Sequence, residues 1–209
     1  MGRAMSVAQL LRQKKEYFEF EGKWFDAFER PETCGSWIVW GGSGSGKTTF
    51  MLQLAKYLSG FKRVLYNSLE EGDSLSFQNA IRRVDLEGSK VQFVCEPIEE
   101  MVERLRKRKS PDVVIIDTIQ YCQMNQKEYM KLLRPLTKHK LLIFNSHEVA
   151  SQPDGRTAIV VKRDAMLKIR VEGFRAFSQG RFKGVHDYFT INEKLANGYW
   201  HKKEVNYEE

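Results

Sequence analysis

The chain has 209 residues, enough for one α/β domain with a short appended element and too few for a second large catalytic domain. Its 29% charged and 42% hydrophobic residues exclude disordered and fibrous classes, and no segment approaches the roughly 18 apolar residues of a membrane span, so a soluble cytoplasmic protein with no membrane partner is expected. A formal charge of +7 favours acidic partners, nucleic acid foremost. Cys34, Cys95 and Cys122 are too widely spaced to imply a disulfide framework or a zinc site.

Residues 1–34 read as a helical lead-in, with Val7, Leu10, Leu11, Phe18, Phe20, Trp24, Phe25 and Phe28 set among charges as in one or two amphipathic helices. Whether this lead-in is an oligomerisation arm or a cover for the core stays open. Its opening MGRAMS also fits Met-Gly-x-x-x-Ser, which is read as a chance match to a myristoylation signal. Strand and helix then alternate. Strands are predicted at 36–40, 63–68, 91–95, 112–117 and 140–146, and helices at about 47–58, 74–84, 98–108 and 126–138. Such alternation predicts a mostly parallel sheet with helices on both faces. From Asp164 onward short apolar segments separated by Gly173, Gly180 and Gly184 predict C-terminal antiparallel hairpin strands. Residues 201–209 read as a polar, frayed tail.

Gly41-Gly42-Ser43-Gly44-Ser45-Gly46-Lys47-Thr48, followed by Thr49, satisfies G-x-x-x-x-G-K-[ST] between a predicted strand and a predicted helix. The glycines let backbone N–H groups face a β-phosphate, Lys47 pairs with β- and γ-phosphate oxygens, and the Thr48 hydroxyl suits Mg²⁺. ATP with Mg²⁺ is therefore the expected cofactor pair. Val113-Val114-Ile115-Ile116-Asp117 supplies the carboxylate for the metal's water shell at the end of a buried strand, where open α/β sheets bind ligands. Glu70 and Glu71, just past the strand that begins near Arg63, reach the same edge, where one carboxylate would orient or deprotonate water; a surface turn would also hold Glu-Glu-Gly.

The run from Gly41 through Leu52, Gln53 and Ala55 to Val64-Leu65-Tyr66 and Ser68-Leu69-Glu70-Glu71 resembles RecA/RadA/DnaB-type ATPases, the RadA branch above all. The resemblance covers roughly residues 36–191 and is strongest over 41–72. It implies a RecA-like P-loop NTPase core over 35–200, with Glu70 as the catalytic glutamate and Asp117 as the magnesium aspartate. It also implies a γ-phosphate sensor among Asn145, Ser146 and His147, with His147 the best match. The stretch Gln179-Gly180-Arg181-Phe182-Lys183-Gly184 is similar to the family's K-x-R element, which reaches a neighbouring subunit's triphosphate; Arg181 matches the arginine, and Gln179 replaces the lysine.

In such a core two loops face DNA, here residues 118–125, offering Gln120 and Tyr121, and residues 148–157, offering Arg156. The resemblance therefore implies a Mg²⁺-dependent ATPase acting on single-stranded DNA in recombination, annealing or repair, as a homo-oligomeric ring or filament that meets a replication or recombination protein. The rival reading is an ATP-switched adaptor, such as a helicase loader, whose nucleotide state controls protein contacts.

Overall fold

The computed structural model describes residues 4–208; residues 1–3, including Gly2 of the myristoylation pattern, and Glu209 of the tail lie outside it. Two short helices come first, α1 (Val7–Leu11) and α2 (Gly22–Phe28), followed by β1 (Gly35–Gly41), α3 (Lys47–Ser59), β2 (Val64–Ser68), α4 (Leu75–Val84), β3 (Val91–Val94), α5 (Ile98–Arg106) and β4 (Val113–Asp117). A 3₁₀ turn at Ile119–Cys122 leads into α6 (Gln126–Glu128), β5 (Leu141–Ser146) and a small hairpin of β6 (Glu148–Val149) and β7 (Gln152–Pro153). Then come α7 (Arg156–Asp164), β8 (Leu167–Glu172), β9 (Arg175–Ser178), β10 (Tyr188–Thr190) and α8 (Glu193–Glu208).

The main sheet runs β10-β9-β8-β1-β5-β4-β2-β3. From β3 to β8 every neighbouring pair is parallel. The central strands are apolar on both faces because helices cover both sides. Trp37, Val39, Val113, Ile115, Leu141 and Ile143 point to one core with α2, α3 and α4. Their chain neighbours Ile38, Trp40, Val114, Ile116, Leu142 and Phe144 point to the other, with α5, α7 and the turn after α6 that carries Tyr129 and Leu133, as the two-residue period of a strand requires.

The C-terminal strands form the expected antiparallel hairpins, β8 with β9 and β9 with β10, and β8, which follows a helical crossover, also lies parallel to β1. Two expectations need correction. The helix at 126–138 is α-helical for a single turn and continues as π-type and 3₁₀ turns, with Pro135 unable to donate an α-type hydrogen bond. The tail continues α8 to Glu208, tied down where Trp200 Nε1 donates to Gly173 O at 3.1 Å and Lys203 Nζ to Glu172 at 2.7 Å.

The lead-in holds two short helices, and they differ in burial. Phe18, Phe20, Ala27 and Phe28 are buried in the α3-side core, and Trp24 stacks on Tyr57 at 4.8 Å and on Phe189 at 4.2 Å. In contrast α1 buries nothing, and Leu11 is 79% exposed. Phe28→Ala should therefore cost about 3–5 kcal/mol, whereas Leu11→Ala should change stability by less than about 0.5 kcal/mol. Urea unfolding midpoints of the two variants would measure the contrast, and equal losses would refute the division.

Candidate functional site

The phosphate loop is built by two close approaches. Gly41 ends β1 against β8, where an added Cβ would lie 2.1 Å from Val171 O; Gly46 starts α3 at φ 101°, where a Cβ would meet the Phe174 ring at 2.9 Å. Both positions need glycine for these reasons. Phe174 N donates to Ser45 O at 3.0 Å, so the turn between β8 and β9 holds the loop from outside. No side chain caps α3, which leaves its first-turn N–H groups at Lys47, Thr48 and Thr49 for an anion.

Lys47 Nζ donates to Gly42 O at 2.9 Å. Burial lowers the pKa of Lys47, opposed by the nearby charges of Glu70, Asp117 and Glu148. Ser45 Oγ is buried with no hydrogen-bond partner among the described residues. A cleft of about 360 Å³ opens beside Ser43 and Gly44, lined also by Glu148, Glu172, Phe174 and Tyr199.

Asp117 ends β4 at the sheet's C-terminal edge and is 5% exposed. Burial raises its pKa, while hydrogen bonds donated by Tyr66 and Asn145 pull it down. Tyr66 Oη donates to Oδ2, and Asn145 Nδ2 donates to Oδ1 at 2.5 Å. Ser68 Oγ, Thr118 Oγ1 and Asn145 Oδ1 are buried around it without partners among the described residues. Three orphaned oxygens around one carboxylate fit the water shell of a hydrated Mg²⁺, a hard cation that keeps several waters and takes few protein ligands.

The next strand end delivers the other carboxylates. Leu69 N and Glu70 N both donate to Asp117 O, at 2.7 and 3.1 Å, so the backbone that carries Glu70 is fixed by the aspartate's own peptide. Glu70 Oε1 faces His147 Nε2 at 3.6 Å. Glu71 accepts from Thr48 Oγ1 at 3.4 Å and from Ser76 Oγ at 3.0 Å. Lys47, Thr48, Glu70, Glu71, Asp117, Asn145 and His147 thus converge on one edge.

The remaining expected residues are distributed differently. Gln120 Nε2 donates to Ser146 Oγ and Asp154 O, both at 2.8 Å, while its Oε1 accepts from His147 N at 3.3 Å. Tyr121 is 53% exposed, and Arg156 is an exposed residue at the start of α7. Arg181 N donates to Met166 O at 3.3 Å, just before β8 begins. Because Leu167 is level with Trp37 and Val171 with Gly41, that backbone lies at the sheet's opposite edge, about 16 Å along the strands from its own phosphate loop.

Sequence reasoning missed Tyr66, although a tyrosine inside a fully buried strand, two residues before Ser68, is a visible anomaly. It also missed that Glu71, not Asp117, holds the Thr48 hydroxyl. Tyr66→Phe should raise the Mg²⁺ concentration for half-maximal ATP turnover about 10- to 100-fold while leaving the fold intact. Lys47→Ala should abolish triphosphate binding. Magnesium titrations and fluorescent-nucleotide binding measure the two effects; an unchanged titration for Tyr66→Phe would remove it from the site.

The comparisons with known proteins agree with this geometry. The profile of a family described as AAA domain matches residues 29–148. No curated protein matches. The flagellar accessory protein FlaH of Methanocaldococcus jannaschii superposes with a TM-score of 0.57 at 15% identity, covering 84% of this chain and 93% of that one. A KaiC-like protein of the hyperthermophilic archaeon Pyrococcus horikoshii superposes with a TM-score of 0.58 at 14% identity, covering 77% and 87%. With the phosphate loop, the strand-end aspartate and a mostly parallel sheet in place, the chain belongs to the AAA-domain family and has the RecA-like P-loop fold.

Proposed function

We propose that the protein is a Mg²⁺-dependent ATPase that acts on single-stranded DNA in recombination, annealing or repair, assembled as a ring or filament. Lys47 and the loop Gly41–Thr49 bind the triphosphate, Thr48 and Asp117 hold the metal and its waters, and Glu70 activates water. His147 beside Glu70 senses the γ-phosphate, and Arg181 serves a neighbour's site. The observation that carries this reading is the bridge made by Gln120. One amide ties the strand end holding the sensor to both candidate DNA loops, so strain applied to either loop reaches the partner of Glu70.

Single-stranded DNA should accelerate ATP hydrolysis, and the acceleration should fade as salt rises because phosphate contacts release counterions. Glu70→Gln should keep ATP binding and lose about 10²- to 10⁴-fold in turnover; full activity in that variant would end the base assignment. Arg181→Ala should be inactive alone and regain turnover when mixed with Glu70→Gln subunits, because each then supplies what the other lacks.

The adaptor reading is favoured by a separate observation. The loop at 118–125 has no basic side chain and borders Glu96, Glu99 and Glu128, a setting better suited to a protein than to a phosphate backbone. Turnover indifferent to DNA with ATP still bound would move the assignment to the adaptor.

A further inference from the structure

One face of β8, β9 and β10 is only half covered. Along β8 buried Leu167, Ile169 and Val171 alternate with half-buried Lys168, Arg170 and Glu172. The register sets Arg170 opposite Phe177 and Phe177 opposite Tyr188, so a cation and two aromatic rings stand in one row across three adjacent strands. Tyr188 is 36% exposed. Phe177 meets the Tyr188 ring at 5.5 Å and the Trp200 ring of α8 at 5.7 Å. A sheet face that meets water is ordinarily polar, and neighbouring rings on such a face mark a contact surface.

The cations of this face are only partly matched. Arg170 pairs with Glu148 and Glu172, and Glu172 also with Lys203. Lys162 Nζ donates to Gln152 Oε1 at 2.8 Å and lies over the Trp40 ring at 4.1 Å. No ion pair holds Lys168 or Arg175 among the described residues. Burial, and then the charges of Lys168 and Arg170, lower the pKa of Lys162 against the pull of Glu148; three cations thus stand within one another's field. The Arg175 guanidinium stacks over the Tyr188 ring at 4.4 Å and over the Trp200 ring at 5.0 Å, and its buried Nε has no hydrogen-bond partner among the described residues. A guanidinium held flat on rings, with no carboxylate to take its donors, is suited to a phosphate.

Rings with accessible faces take unstacked bases, and cations beside them take the phosphates that join those bases. A duplex keeps its bases stacked on one another, and an acidic protein segment would meet the cations but leave the rings unused. We infer that the face formed by β8, β9 and β10 binds a single-stranded nucleic acid, with bases on Tyr188 and Phe177 and phosphates on Lys162, Lys168 and Arg175. The inference rests on the single-stranded DNA part of the proposed function and moves the contact from the loop at 118–125, which has no basic side chain, to a sheet surface. That surface adjoins the nucleotide site: Arg170 and Glu172 line the cleft beside Ser43 and Gly44, and the turn from β8 to β9 holds Ser45 O through Phe174 N.

An oligothymidylate carrying 5-iododeoxyuridine, irradiated with the full-length protein, should leave adducts on the peptides that hold Phe177, Tyr188 or Trp200. Adducts confined to 118–125 or 148–157 would overturn the inference and leave a DNA-acting enzyme. In fluorescence anisotropy with labelled oligothymidylate, Tyr188→Ala should weaken binding about tenfold without altering its salt dependence, and Tyr188→Trp should restore it. Lys168→Ala should instead lower the slope of log affinity against log salt by about one. Fluorescent-nucleotide binding retained by each variant shows that the fold survives. Unchanged affinity and slope in both variants would overturn the inference. Equal binding of a duplex of the same length would reduce the face to charge alone, and equal displacement by polyglutamate would assign it to an acidic protein segment; either result overturns it too. Oligothymidylate that neither binds the wild-type protein nor accelerates its turnover would remove the single-stranded DNA reading together with this face.

Discussion

Everything at the catalytic edge depends on keeping one carboxylate inside the protein. Asp117 is buried at the end of a strand with apolar residues on both faces, and an unpaired charge there would cost several kcal/mol. The structure answers with two donors from the flanking strands, Tyr66 of β2 and Asn145 of β5. Neither is a cation. The carboxylate is therefore stabilised by neutral donors, and the neighbouring oxygens of Ser68, Thr118 and Asn145 are buried without hydrogen-bond partners among the described residues.

The same strand end sets the position of the remaining groups. Asp117 O accepts two backbone N–H bonds from the turn that carries Glu70, so the placement of Glu70 follows from that of the aspartate. Glu71, one residue on, turns to the Thr48 hydroxyl instead. The two adjacent acids sit in the turn after β2 and face different partners, His147 and Thr48. His147, leaving β5 next to Asn145, closes the arrangement against Glu70. Three parallel strands side by side are what permit this, since each delivers its last residues to the same edge.

Much of this was legible in the sequence because it rests on local chemistry. The glycines of the phosphate loop, the apolar run ending in Asp117 and the pair Glu70-Glu71 are read from spacing, and the structure brings them together. The parallel pairing of β8 with β1 was not legible: its alternating Leu167, Ile169 and Val171 suit either pairing, and only the crossover through α7 makes it parallel. The irregular segment after α6 and the extended α8 were missed because the deciding contacts are distant in sequence, as with Trp200 on Gly173. Tyr66 was hidden by its strand propensity; the pattern that marks a core tyrosine does not reveal what its hydroxyl touches.

The lead-in closes the N-terminal edge of the sheet against the loop that holds Arg181. Helix α2 is fixed by Trp24 between Tyr57 and Phe189, and its own carbonyls accept from the loop that holds Arg181: Gly184 N reaches Ala27 O at 3.4 Å and His186 N reaches Asp26 O at 2.8 Å. A side chain on Gly184 would collide with Asp26 O at 2.1 Å, so the two backbones meet directly. Arg181 and the root of α1 are thus braced by the same helix at the strands' N-terminal edge. The phosphate loop lies at the opposite, C-terminal edge, so the bracing of the lead-in and the binding of a nucleotide are kept at different ends of the same strands.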